Sequence, residues 1–229
     1  MASKCPAVVR GRVMRLTRLD ACGVPVIGAS TTVVTDGIIS IAPSPQYEGG
    51  DPIRVLNANG DLCINAKGKA QLAQEDLTIT LCQINPDAVN IMTGAPLVLD
   101  DATPTPNTVG FRKQCGSSDV NFALEVWSEI TNQECTTTNV EYWYSLWPLL
   151  TNAQYGDYTI ENGALNMVLT ASAFCNSPWG VGPYDVINSG VVPAPGPLLT
   201  AIGDDDLYHG QVTNLAPPAS SCGVQALAA

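Results

Sequence analysis

The 229-residue chain has little with which to do acid–base or metal chemistry: one histidine, His209, and 14% charged residues. A Ser-His-Asp or Cys-His device would have to use that histidine, and no GxSxG elbow is present. GxxxxGK[ST] and GxGxxG are missing as well, so no loop is shaped to cradle a nucleotide phosphate. Aromatic residues make up only 6%, which leaves few stacking platforms for sugars. Trp127, Trp143, Trp147 and Trp179 serve as readily in a core. Paired carboxylates for glycoside hydrolysis meet in space and leave no sequence mark, so a hydrolase with dispersed carboxylates stays open. No apolar run approaches the roughly eighteen residues of a helical membrane span. The opening stretch MASKCPAVVRGRVMRLTRLD carries basic residues without the apolar run of a secretory leader, which predicts folding in a cytosol.

Basic residues stop at Lys113. Residues 1–113 hold all ten Lys and Arg together with ten acids, whereas residues 114–229 hold the other acids and account for the whole net charge of −11. A field of that sign repels nucleic acid rather than gripping it. It reads either as a solubilising surface or as one that must not adhere to something negative. The acidic run in GDDDLYHG lacks the alternating acids and glycine turn of a calcium loop and reads as a solvated loop. The eight cysteines contain no CxxC pair and no Cys/His cluster, which argues against structural zinc. Most are expected to be buried thiols behaving as small apolar residues.

What the chain does have is a succession of short alternating runs broken by Gly, Pro, Asn and Asp, the mark of a mainly β fold. Val8–Leu19, Gln71–Gln83 (with Leu77, Ile79 and Leu81 on one face), Asn121–Ile130, Val140–Leu150, Asp157–Ile160 and Gly163–Phe174 read as strands, the last two joined at Glu161-Asn162-Gly163. Asp36-Gly37 reads equally as a tight hairpin or a bulge. Asn59-Gly60, between two apolar runs, suits a type I′ hairpin turn. PSPQYEGGDP, Pro43–Pro52, is predicted to be a loop that no regular element spans, and the Pro-rich chain from about residue 191 to 229 an extended arm. No domain boundary is visible, so residues 1–229 read as one domain.

One short helix is predicted over about residues 86–93. Asn85 suits the N-cap, Pro86 the first position, where its missing N–H costs nothing, and Gly94 the left-handed stop. Ala88, Ile91 and Met92 form its apolar stripe and are predicted to pack on a sheet, with Asp87 and Asn90 left in water. So short a helix persists only by such packing.

The order and combination of RGRVMRLTRLDACGVPV, STTVVTDGIISIAPSPQYEGGDPIRVLNANGDLCIN, CQINPDAVNIMTGAPLV, DVNFALEVWSE, DYTIENGALNMVLTASAF and WGVGPYDVI resemble the major tail protein, the tail tube subunit, of long-tailed actinobacterial phages. The resemblance covers nearly the whole chain. It implies a β-sandwich or barrel flanked by a short helix, in hexameric rings stacked into a hollow tube within the virion tail, assembled in the host cytoplasm. It implies further copies of the chain, a tape measure protein and tail terminator or tail tip proteins as partners. DNA would pass through without specific binding, and no membrane, cofactor, metal or catalytic residue is implied. Acids in strand-like segments, Glu125, Glu129, Glu141 and Asp157, are the candidates for the channel wall. Pro43, Tyr47, Glu48 and Pro52 are the candidates for an inter-subunit loop. The alternative from another class is a monomeric β-sandwich binding module or adhesin.

Overall fold

The computed structural model describes residues 5–116, 119–131, 140–160, 162–163, 165–190 and 192–227. Cys135 and Glu161 lie outside the described residues. In chain order the elements are β1 (Ala7–Leu19), β2 (Gly28–Thr35), β3 (Ile38–Gly49), β4 (Ile53–Leu56), β5 (Leu62–Ala66), β6 (Ala70–Leu81) and α1 (Pro86–Thr93). There follow β7 (Leu97–Leu99), β8 (Thr108–Phe111), β9 (Asn121–Thr131), β10 (Tyr142–Tyr155), β11 (Met167–Ala173), β12 (Ile187–Ser189), β13 (Ala194–Gly196), β14 (His209–Thr213) and β15 (Gln225–Leu227). With 52% strand and 4% helix, the fold is mainly β.

The large antiparallel sheet runs β15-β2-β1-β9-β10-β11-β6-β3, with β14 pairing β10 beside this path. Two corners fold it over. The first is β10, whose opening half pairs with β9 and β14 and whose closing half pairs with β11. The pairing with β9 slips between Trp147 and Leu150, around Pro148, which lacks the N–H to continue a ladder. A strand that changes sheets at such an irregularity is how sandwich corners are made. The second corner is Asp36-Gly37. It joins β2, near one end of the sheet order, to β3 at the other end, so it is neither of the two arrangements read from the sequence. The two residues cannot link those strands unless the sheet curls until its ends meet. Gly37 is required there by space, because a Cβ would lie 2.9 Å from Gln83 Cβ.

Between the two layers lies the main core, with Met14, Leu16, Leu77, Ile79, Phe122, Leu124 and Leu169 fully or almost fully buried. The helix belongs to this core rather than to an outer face, since Ala88, Val89, Ile91 and Met92 are at most 1% exposed. Asn85 Oδ1 accepts from the backbone N–H groups of Asp87 and Ala88, and Gly94 ends the helix at φ 69°. Two polar residues of the helix depart from expectation. Asp87 is buried and accepts a hydrogen bond from Thr108 Oγ1 at 3.3 Å. Asn90 donates to the Ala95 carbonyl at 2.8 Å and accepts from the Arg18 guanidinium. The helix therefore plugs the sandwich, and its polar side is used as well.

A second apolar cluster covers the other face of β1, β9 and β10. Trp127, Tyr144 and Leu146 of the sheet meet Trp179, Val186, Leu198 and Ile202. Residues 192–227, expected to form an extended arm, are consequently fastened to the body. β13 pairs β12, β14 pairs β10 and β15 pairs β2, while Thr213 and Leu227 are buried. Prolines keep this segment locally irregular, but its spaced apolar residues fasten it to the sheet.

Pro43–Pro52 also departs from the loop reading. β3 continues through Pro43 and Pro45 to Gly49, paired with β6 along its length. Prolines are tolerated because β3 is an edge strand. Pro43 and Pro45, two residues apart, turn their missing N–H toward the same unpaired side. Asp157–Ile160 in turn is not a strand, since β10 ends at Tyr155 and the next strand begins at Met167.

Candidate functional site

The most strongly perturbed polar group is sealed inside the fold. Arg15 on β1 and Glu125 on β9 sit opposite each other in the ladder. Two guanidinium N–H groups donate to the carboxylate at 2.5 and 2.6 Å. Tyr144 Oη donates to the same carboxylate at 2.6 Å. The guanidinium carbon lies 3.3 Å from the Tyr184 ring centroid and 5.0 Å from that of Trp127. Burial pushes the Tyr144 hydroxyl well above its ordinary pKa, and pushes Tyr184 up to about 12. The Arg15 guanidinium, desolvated but facing Glu125, is held more firmly protonated. Every charge has its partner and Glu125 is 0% exposed, which leaves no room for a reacting molecule. The cluster is a clamp. Tyr184, stacked on Arg15 and hydrogen-bonded to Thr17 at 2.9 Å, ties the C-terminal cover to the sheet.

Glu125 is thereby corrected as a wall residue, since it reaches no surface. Its partner lies 110 residues earlier in the chain, beyond the reach of local pattern. The other three acids do not share a strand face. Glu129 is engaged by Arg10 at 2.9 Å and Arg12 at 3.2 Å. Glu141 is half-buried just before β10, and Asp157 is exposed just beyond it. His209 stands in β14 opposite Leu146, with Nε2 3.1 Å from Gln211 Oε1, and among the described residues no nucleophile is in hydrogen-bond contact with it. Among the described residues no group of three or more His, Cys, Asp or Glu is placed to hold a metal ion.

Surface, by contrast, is abundant. From Ala42 to Leu72 every residue but Gly50 and Gly68 is exposed. The outer halves of β3 and β6 form a two-stranded stalk, tipped by the β4–β5 hairpin, and together they make a projecting arm. Asn57 Oδ1 accepts from the N–H groups of Asn59 and Asp61, and Gly60 takes φ 85°, closing a five-residue turn instead of a two-residue type I′ turn. Pro43, Tyr47, Glu48 and Pro52 all lie exposed on this arm. So do Ile53, Val55, Leu56, Leu62 and Ile64, between 44% and 60% exposed. A lone two-stranded ribbon with apolar side chains in water is marginal by itself.

Beside the arm's base lies a cleft of ≈ 920 Å³. One wall is the N-terminal part of β1, Val8 to Gly11, and the other is β3 from Ile38 to Tyr47. Its floor includes Trp143, Trp147 and Tyr208. Glu75 accepts from Trp147 Nε1 at 2.7 Å, and the Tyr208 hydroxyl meets Ser145 at 2.9 Å. A smaller apolar hollow of ≈ 130 Å³ lies elsewhere, near Phe111 and Met167, with the Lys113 ammonium 4.1 Å from the Tyr155 ring.

The cysteines correct another expectation. Cys5, Cys22, Cys63, Cys82, Cys115 and Cys222 are exposed, Cys175 is intermediate, and all seven are free thiols. The six exposed ones stand in turns, at strand ends and on the arm, whereas Cys175 packs at the margin of the main core. The chain matches no known family model and no curated protein sequence.

Proposed function

We propose that this chain is a structural self-assembling subunit, the building block of rings that stack into the tube of a phage tail. The observation that carries the reading is the arm from Ala42 to Leu72. It holds apolar residues in water on a ribbon that the subunit's own core leaves uncovered. Contiguous exposed apolar surface of this kind marks an association site, and a contact between unlike patches of identical copies builds rings or filaments. The sequence resemblance to tail tube subunits supports the same reading. Among the described residues, the buried Arg15–Glu125–Tyr144 cluster is occupied by its own partners.

In this reading the tube is permissive toward DNA. The acid excess of residues 114–229 discourages phosphate from adhering, over roughly the Debye length of about 8 Å at physiological salt. Arg10 and Arg12, already paired with Glu129, are partly neutralised.

The test is negative-stain microscopy of the concentrated full chain, with sedimentation as a second measure. Rings or tubes are the expected result. A protein that stays monomeric at high concentration and binds a glycan would replace this reading with that of a binding module.

A further inference from the structure

The cleft beside β3 is held open by small residues at positions where a sandwich interior ordinarily carries aliphatics. Toward it the inner face of β9 passes from Leu124 and Val126 to Ser128, and that of β10 from Trp147 to Ser145. Gly11 of β1 stands opposite Ser128 in the ladder, and Gly210 of β14 opposite Ser145. Gly210 also admits an aromatic shelf, since a Cβ there would lie 2.6 Å from Trp143 Cζ2 and 2.8 Å from the Tyr208 hydroxyl. The shelf is fixed by its polar ends. Trp143 Nε1 donates to Tyr208 Oη at 3.2 Å, that hydroxyl meets Ser145 Oγ at 2.9 Å, and Trp147 Nε1 donates to Glu75 at 2.7 Å. Trp147, 6% exposed, backs Tyr208 with ring centroids 5.0 Å apart, and Tyr208 is 40% exposed. Neither indole N–H is left to donate, so the shelf offers a guest π-electron surface.

The charged groups on the lining have the same sign of preference. Glu75, Asp205 and Asp206 line the cleft against Arg10 alone, and Arg10 is already held by Glu129 at 2.9 Å. Asp206 accepts from the Gly203 N–H at 2.8 Å. Glu75 holds Trp147 through Oε2 and keeps Oε1 free for a further donor, and among the described residues no donor meets the Asp205 carboxylate. Ring faces and carboxylates both attract positive charge. An anion is repelled by this lining, and a neutral guest gains nothing from its charge. We infer that the cleft is a binding site for an organic cation, an alkylammonium group carried on an apolar body. The ammonium would lie against Tyr208 with Glu75 and Asp205 accepting its N–H groups, and the body along Ile39, Pro43 and Leu72. The volume of ≈ 920 Å³ lies within the roughly 300–1,000 Å³ of small-molecule sites. The inference does not depend on the assembly reading, because nothing in it requires a second copy.

Three probes of nearly one shape test the charge preference: phenethylammonium, 2-phenylethanol and 3-phenylpropionate, each titrated into the full chain at low salt by calorimetry. Phenethylammonium should bind, 2-phenylethanol should bind about tenfold more weakly, and 3-phenylpropionate should not bind. Added salt should weaken the cation alone. Glu75→Gln keeps an oxygen for Trp147 Nε1, and Asp205→Asn alters an exposed loop residue. Each should weaken phenethylammonium about tenfold while leaving the urea midpoint unchanged. Asp61→Asn, which removes an acid outside the cleft lining, should leave the affinity as it was. The inference is overturned if phenethylammonium shows no binding up to about 10 mM, or if 2-phenylethanol binds as tightly. It is equally overturned if Asp61→Asn weakens the cation as much as Glu75→Gln and Asp205→Asn do, since the attraction would then belong to the acidic surface at large.

Discussion

β6 belongs to two regions of the molecule at once. Its inner residues Leu77, Ile79 and Leu81 are at most 1% exposed, whereas Leu72, toward its outer end, is 43% exposed. β1 repeats the contrast, with Met14 and Leu16 at 0% and Val8 and Val9 at 45% and 51%. The backbone is the same antiparallel ladder in both parts, and aliphatic residues occur in both. The difference is the second layer. In the body β1, β9 and β10 are covered on one face by β6, β11 and the helix, and on the other by the chain around Trp179 and Ile202. On the arm neither face is covered. Aliphatic side chains thus hold the body together, while on the arm they await a partner in the assembly reading. Substitutions in the two parts should therefore affect different measurements.

The largest loss of subunit stability is expected at the Arg15–Glu125 pair. Glu125→Ala would leave a desolvated guanidinium between two aromatic rings without its counter-charge. Breaking a buried pair from one side typically costs about 3–5 kcal/mol. Urea unfolding of the monomer should show this loss. A loss below about 1 kcal/mol would mean that Arg15 finds water or another partner once Glu125 is gone. Ile91→Ala comes next. It empties a site in the core between helix and sheets, with an expected cost of about 2–5 kcal/mol.

Alkaline titration tests the clamp on the outer face without deleting it. Burial raises Tyr184 to about 12 and raises Tyr144 as well. An unfolded tyrosine ionises near pH 10. The stabilisation from these neutral hydroxyls is complete below that pH, and is lost as pH rises through the folded value. The unfolding midpoint should therefore decline between pH 10 and about 12, and Tyr184→Phe should make the decline shallower. A slope unchanged in that variant would remove Tyr184 from the account. Asn85→Ala should cost about 1 kcal/mol through loss of the helix cap, measured by the same urea unfolding. Asn90→Ala is expected to destabilise too, because the Asn90 side chain joins Ala95 and Arg18.

Local chemistry made part of this legible in advance. The run Asn85-Pro86 to Gly94 specifies cap, first turn and stop within ten residues. The alternation of Leu77, Ile79 and Leu81 marks a strand and its inward face. What local pattern could not reveal is non-local. Pro43 and Pro45 read as a loop unless their strand is known to be at a sheet edge, a property of the finished topology. Glu125 looks like any alternating strand acid until Arg15, 110 residues away, is brought opposite. The C-terminal chain reads as an arm because its prolines are clustered, at 193, 195 and 197 and again at 217 and 218, while the residues that fasten it, Leu198, Thr213 and Leu227, are far apart. Asp36-Gly37 shows the same limit, since a two-residue link states that two strands meet but not which sheet edges they close.

The smallest effect on subunit stability is expected on the arm, where the contrast with the body is sharpest. Ile64→Ala removes an aliphatic side chain of similar size to Ile91, from a position 48% exposed with no layer above or below it. Substitutions at such positions usually shift stability by less than about 0.5 kcal/mol, so the urea midpoint and slope of the monomer should be unchanged. Assembly should respond in the opposite sense, because the same side chain is buried only when a second copy arrives. The diagnostic quantity is therefore the pair of measurements, monomer unfolding and tube length by microscopy, made on Ile64→Ala and Ile91→Ala together. If Ile64→Ala destabilised the monomer by as much as Ile91→Ala, the arm would have to fold back onto its own body in solution. Its apolar residues would then be core after all. If it left both monomer and tubes unaltered, Ile64 would be an ordinary exposed aliphatic and the contact would rest on other residues of the arm.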